Sequence, residues 1–407
     1  MDLSLSDDEL LLRDSVRSFV AREANTETLV GLQPSRLGLR PEWTAPMADA
    51  GWLGALVPEK LGGSGASTLE AAIICEELGR GPVPGPFLVS SVLAVGLLRV
   101  AAASPERDHL LSAIATGNAT VVPVTAGSGR DWNGLRAGGG FALEPFGPVG
   151  EGGEGGGVLT CTAPFVPYAA AATHLLVPVT RTGAGDDAGA AGNGGVELAV
   201  VPVGAEGVSV RRLKGFLAWN DEVTFTNVTI EPGNLLRLAG GGGSQSGAVG
   251  LDGEDGEAGL DDVLTQAYVL FAAYQVGGCQ RLLERSIDYS NTRQQFGQAI
   301  GRFQRVQDHL VELLNATDAA RWTMYEAIWR IDSGQPARAA AHLAKAVASE
   351  SYLTAADYAH KVHGGIGVDP TSGITLFTQM SRSLYELLGT PRWHKRRMAD
   401  ALEWSTS

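Results

Sequence analysis

The stretch Arg293-Gln-Gln-Phe-Gly-Gln-Ala-Ile-Gly-Arg-Phe-Gln-Arg-Val-Gln307 decides how this chain is read. It separates two long segments, 262–292 and 304–331, whose apolar residues recur at helical spacing. The guanidinium of Arg293 offers a planar fork that matches phosphate oxygens. The glutamines supply donors and acceptors for a ring edge, and Phe296 supplies a face for stacking. These residues suit a flat, phosphate-bearing ligand. They equally suit a plain corner between two helices, and the chemistry of the run alone does not choose between the two.

Outward from this run, the C-terminal part of the chain stays helical. The segment 338–363 is rich in alanine, and Pro336, Gly364-Gly365 and Pro391 punctuate the pattern. The first third is helical too. Ser6 and Glu9 have the spacing of a capping box, and Leu12, Val16, Phe19 and Val20 then share one helical face. Segments 68–80 and 86–100 repeat the pattern. Between these regions the period changes. Short β-rich runs at 120–125, 158–162, 175–179, 196–201 and 223–228 predict a small antiparallel barrel or sandwich. Glycine-rich stretches at 182–195 and 238–259 hold too little apolar surface to offset ordering and are expected to be mobile. Gly240-Gly-Gly-Gly-Ser244 is not a phosphate loop, since no Lys-Ser/Thr pair follows it.

The chain has 407 residues, 44% of them hydrophobic, enough for two or three domains with a real core. A net charge of −14 argues against a nucleic-acid-binding protein. Cys75, Cys161 and Cys279 show neither disulfide nor zinc spacing, which suits a reducing cytoplasm, and no metal site is expected. The acidic start lacks a signal pattern, and no apolar run is long enough to span a membrane.

Four motifs in order resemble the acyl-CoA dehydrogenase family of flavoproteins. Gly51-Trp-Leu-Gly54 with Pro58-Glu-Lys-Leu-Gly-Gly-Ser-Gly65 is similar to its G-W-L…P-E-x-x-G-G-x-G turn. Glu76-Glu-Leu-Gly-Arg-Gly81 is similar to its E-E-L-G-R-G helix end. The 293–307 run resembles R-x-Q-F-G…F-Q-x-x-Q, and His363-Gly-Gly-Ile-Gly367 resembles H-G-G-x-G. The resemblance implies a multidomain α+β fold: an N-terminal helical domain (1–118), a middle β-barrel domain (119–235), a glycine-rich linker (236–260) and a C-terminal four-helix bundle (261–407). It implies FAD, an acyl-CoA substrate, α,β-dehydrogenation and an electron-accepting flavoprotein partner. In the family these two C-terminal loops hold the ADP half of a neighbouring subunit's FAD. The positions that match are Arg293 for phosphate, Phe296 and Gln304 on the adenine side, Lys361 where many members have Gln, and Gly364 and Gly365 beside the pyrophosphate.

The resemblance breaks where the family keeps its catalytic base. Aligned on Gly389-Thr390, the base position of the Y-E-G-T motif holds Leu388, and the second known position holds Ala267. Glu386 is the remaining candidate, but it stands two residues early, which on a helix turns a side chain by about 200°. It also reads as a solvated helix residue. The family's T-E-P-x-x-G-S-D segment, which lies against the flavin, survives only as Ala126-Gly-Ser128. An intact half-site beside an eroded one resembles the actinobacterial-type heteromeric branch, in which a paralogous subunit completes the site. The run Leu387-Leu-Gly-Thr-Pro-Arg-Trp-His-Lys-Arg-Arg-Met398 resembles that branch's tail. The alternatives are a self-sufficient homo-oligomer using Glu386, a non-catalytic structural subunit, or a flavin monooxygenase on the same scaffold. The basic run Arg392–Arg397 suits either an anionic ligand or a basic helix face.

Overall fold

The computed structural model describes residues 4–32, 40–124, 141–146, 155–181, 196–213, 220–238 and 259–404. The stretch 182–195 expected to be mobile, nearly all of the stretch 238–259, most of the linker expected at 236–260, and Ala126-Gly-Ser128 lie outside the described residues.

Helices α1 (Asp7–Glu23), α2 (Thr26–Leu32), α3 (Thr44–Asp49), α4 (Thr68–Arg80), α5 (Val95–Arg99) and α6 (Pro105–Ala115) build the N-terminal part. The capping box expected at α1 is present: Ser6 N–H donates to Glu9 at 2.6 Å and Glu9 N–H donates to Ser6 Oγ at 3.3 Å. Ser67 and Glu70 repeat the device at α4. Together they satisfy N–H groups that the first helical turn leaves unpaired. The expected helix over 86–100 forms, but Leu88–Ala94 winds as a π-helix before passing into α5. All seven of its residues are buried.

The middle of the chain forms one eight-stranded sheet. Its strands are β1 (Val121–Pro123), β2 (Phe141–Pro145), β3 (Gly157–Pro167), β4 (His174–Arg181), β5 (Glu197–Pro202), β6 (Val208–Arg212), β7 (Asn220–Ile230) and β8 (Leu235–Arg237). The order is β6-β7-β3-β2-β4-β5-β8, with β1 also on β4. The sheet is mixed, not purely antiparallel as the strand spacing suggests. β1 arrives directly from α6 and runs parallel to the first half of β4, and β2 runs parallel to its second half. β2, β6 and β8 escape a sequence reading because they are short and half-exposed, with no apolar run to mark them.

The C-terminal part consists of α7 (Leu260–Thr292), a hairpin of β9 (Gln294–Gln295) and β10 (Gln298–Ala299), α8 (Gln304–Asp332), α9 (Arg338–His363), α10 (Gly365–Val368), α11 (Ile374–Tyr385) and α12 (Pro391–Ala401). α7 is buried nearly all round along its first two-thirds, as a central bundle helix must be. Its crossing with α4 ties the two ends of the chain together. A Cβ on Gly79 would run into the Tyr274 carbonyl, and one on Gly277 into the Glu76 carbonyl, so the two backbones touch. Charges rim this contact: Arg17 and Arg80 reach the buried Glu77 at 2.6 and 3.3 Å, and Arg80 reaches Glu284 at 2.7 Å. The Glu76-Glu-Leu-Gly-Arg-Gly81 motif therefore has a packing explanation of its own. No helix among the described residues is long and apolar enough to cross a membrane.

Candidate active site

The corner after α7 is a hairpin. Gln294 and Gln295 pair with Ala299 and Gln298, leaving Phe296-Gly297 as a two-residue turn. Both turn residues have positive φ, 52° and 81°. This is the twist that a tight hairpin favours, but it is costly for a residue with a side chain. Phe296 is held there with 91% of its surface exposed. Arg293, at the C-cap of α7, is exposed and makes no ion pair among the described residues. Gln304 opens α8 and is exposed beside them. A strained, solvent-facing aromatic next to an uncommitted guanidinium is poor design for a corner and good design for a contact.

The His363-Gly-Gly-Ile-Gly367 loop is tied to the last turn of α7, from which this hairpin springs. The His363 ring stacks on Tyr289, one turn before Arg293, with centroids 4.6 Å apart and planes at 20°. His363 Nδ1 donates to the Ala359 carbonyl at 2.8 Å, and burial lowers its pKa, so the ring is neutral at neutral pH. His363 thus anchors the loop from inside. Outside, Gly364 breaks α9 at φ 60°, ψ −139°, a conformation open only to glycine, and α10 restarts at once. A Cβ on Gly364 or Gly365 would meet nothing within 4 Å, so both backbones face open space. Ile366 and Val368 are exposed beside them. Lys361 is exposed as well and lies over the Tyr358 ring, 4.0 Å from its centroid. The sequence-predicted residues Arg293, Phe296, Gln304, Lys361, Gly364 and Gly365 therefore all lie on exposed surface.

Sequence reasoning did not find the cavity. A pocket of about 410 Å³ opens where α3, the start of the π-helix, the turn before it, the turn after β3, α7 and α11 meet. Leu88, Tyr168, Tyr274, Met380, Leu384 and Leu387 contribute to its walls. Tyr274 Oη donates to the Val83 carbonyl at 2.8 Å and Tyr168 Oη accepts from Gly85 N–H at 3.2 Å, so both phenols are committed and present apolar faces. Burial raises both phenol pKa values well above their usual level, so neither is a base. Arg40 is the sole charged side chain among the described residues around the cavity, and none of them is Asp or Glu.

The two base positions are apolar and packed. Leu388 is 2% exposed and Ala267 is 1% exposed. Glu386 caps α11 and points to solvent, whereas Leu384 and Leu387 on either side line the cavity. No carboxylate near the end of α11 reaches the cavity.

Two family models match this chain: "Acyl-CoA dehydrogenase, N-terminal domain" over residues 6–118 and "Acyl-CoA dehydrogenase, C-terminal domain" over residues 260–403. The chain belongs to the acyl-CoA dehydrogenase family and is an oxidoreductase with FAD as its cofactor. Among its relatives is the acyl-CoA dehydrogenase IpdE2 of Mycolicibacterium smegmatis, 25% identical over 97% of this chain and 98% of the relative. The ChsE4-ChsE5 complex of Mycobacterium tuberculosis has the same fold, with a TM-score of 0.81, 23% identity and full coverage of both chains. A variant of the Tcur3481-Tcur3483 steroid ACAD matches with a TM-score of 0.79 and 25% identity, covering 98% of this chain and 99% of that one.

The hairpin and the glycine loop fit one half of FAD. Open space at the Gly364 and Gly365 backbones leaves room for an anion, and Arg293, which makes no ion pair among the described residues, is a cation free to meet one. Both features face outward, not into this chain's own cavity.

Proposed function

We propose that this chain is one half of a composite-site acyl-CoA dehydrogenase. It supplies the ADP-side half-site for FAD and an apolar acyl cavity, and an unlike, paralogous subunit supplies the catalytic base. The carrying observation is the absence of a carboxylate among the described residues lining the cavity, with Leu388 and Ala267 buried at the family's two base positions. Removing a weakly acidic α-proton from a thioester requires a positioned base. A wall of leucines and committed phenols cannot provide one.

The outward-facing half-site agrees with this division of labour. Arg293 would pair with a phosphate, Phe296 and Gln304 would flank the adenine side, Gly364 and Gly365 would offer N–H groups to the pyrophosphate, and Lys361 would add charge at its edge. Bound FAD supplies the acceptor for the hydride that leaves the β-carbon. The Tcur3481-Tcur3483 steroid ACAD and the ChsE4-ChsE5 complex are paired assemblies of this fold, which supports an unlike partner here. A contact surface is also available. Val311, Trp322 and Trp329 are 53%, 54% and 40% exposed. At about 100° per residue they fall on one stripe of α8, and such stripes on soluble proteins mark contact surfaces. The apolar cavity, within the ordinary size range of ligand pockets, suits a bulky apolar acyl group, and electrons would pass on to a partner flavoprotein.

The test is co-expression with the paralogous subunit. The expected result is a stable heteromer retaining FAD, whereas this chain purified alone is colourless. A yellow homo-oligomer from this chain alone would overturn the proposal.

A further inference from the structure

The C-terminal bundle hides a polar cluster that dehydrogenation does not explain. Lys345, on the Ala-rich α9, is fully buried. Its Nζ donates to Ser349 Oγ at 2.8 Å and to the Leu384 carbonyl at 3.0 Å. Ser349 is itself tied to Gln275 of α7 through contacts of 3.2 and 3.4 Å. One turn before Lys345, His342 Nδ1 meets His394 Nδ1 of α12 at 2.8 Å. His394 lies under Gly389, where an added Cβ would stand 3.0 Å from its Nε2. The carbonyl that Lys345 grips belongs to the last turn of α11, and the side chain of the same residue lines the cavity. The segment it holds, Leu384 to Thr390, includes Leu388 at φ 63° and Gly389 at φ 116°, a backbone that must be restrained from outside.

We propose that Lys345 is a positioning residue for the acyl cavity. Through the Leu384 carbonyl it fixes the turn between α11 and α12, and so sets where Leu384 and Leu387 stand in the cavity wall. This rests on the reading of that cavity as the acyl site. A buried lysine is an expensive anchor unless the carbonyl it satisfies matters more. Carbonyls at a helix C-terminus have no partner within the helix, and here a long side chain from a neighbouring helix supplies one.

The anchor is also sensitive to pH. Burial pushes the Lys345 ammonium down to about 7. Facing it are His342 on its own helix, His394 on α12 and Gln275 on α7, while α11 offers only a carbonyl. No acidic side chain from these elements or from α8 offsets the burial. Burial, with Lys345 and His342 nearby, also depresses His394 to about 2, so that ring stays neutral. A lysine whose folded pKa lies below its unfolded value binds a proton in the unfolded chain first. Its contribution therefore rises with pH between about 7 and the ordinary lysine range, and stays at its lowest level below about 7, where both states hold the proton.

The experiment uses the purified complex and compares the wild type with Lys345→Met. Hydrogen–deuterium exchange of amides 384–390, corrected for intrinsic rates, is followed from pH 6 to 9. In the wild type, protection of this turn should be level below about pH 7 and rise several-fold from there to pH 9. In Lys345→Met it should be about tenfold lower and flat with pH, while α7 stays as protected as before. KM for a bulky acyl-CoA should rise several-fold with kcat within about twofold. Exchange at 384–390 that matches the wild type at every pH overturns the role of Lys345. A loosened turn with unchanged KM overturns the assignment of the cavity. Should Lys345→Met fail to assemble, Ser349→Ala keeps the charge and deletes one acceptor. The pH at which protection begins to rise should then move lower, and an unmoved onset overturns the proposal.

Discussion

Arg293 and Glu386 are both exposed charged side chains, yet the geometry gives them opposite weight. Arg293 sits at a helix end beside a strained hairpin, one turn beyond the Tyr289 on which the glycine loop is anchored, whereas Glu386 stands on the solvent side of a turn whose inner side is leucine. Arg293→Ala should leave thermal stability unchanged but weaken FAD retention in the complex. A charge-assisted hydrogen bond is worth about 1.5–3 kcal/mol, or roughly ten- to a hundredfold in affinity. Flavin absorbance per protein, before and after dialysis, measures this. Intact flavin with a lowered melting temperature would mean that the residue is only a helix corner. Glu386→Gln in the complex should hold the rate within a few-fold, because losing a true general base costs about 10²–10⁴-fold. Both residues were legible in the sequence as residue types at particular spacings. Lys345 was legible in principle, since it occupies a core-facing position among Ala341, Ala344 and Ala348, but a lone lysine in a helix ordinarily reads as solvent-facing.

Helices announced themselves and strands did so only in part. The capping residues Ser6 and Glu9, the long apolar periods and the punctuation at Gly364 all mark elements that formed. β2, β6 and β8 did not announce themselves, because short half-exposed strands carry no local pattern and are created by their neighbours. The parallel partnership of β1 with β4 is likewise a property of chain routing, not of local sequence. The α4–α7 crossing is the element-level feature on which the fold depends most. Gly277→Val would drive a branched side chain into the α4 backbone at Glu76. Overpacking typically costs about 1–3 kcal/mol, and a rigid backbone obstacle places this case at the upper end or beyond. Urea titration should show the loss as a lower midpoint. A midpoint within error of wild type would mean that the two helices can separate cheaply.

At the scale of the whole molecule, the matched motif residues lie on the outside, and no carboxylate among the described residues lines the cavity. The first half was visible in the sequence as motifs. The second was visible only as missing letters at two aligned positions, because a pocket assembled from α3, the π-helix, the turn after β3, α7 and α11 has no linear signature. On the composite-site proposal, catalysis needs an unlike subunit. The most direct measurement is acyl-CoA-dependent dye reduction by this chain alone, by the paralogous subunit alone and by the two combined, each supplied with excess FAD. Under the composite-site proposal only the combination turns over, and mutating the partner's carboxylate base abolishes the rate while Glu386→Gln does not. Turnover by this chain alone, lost on Glu386→Gln, would contradict it.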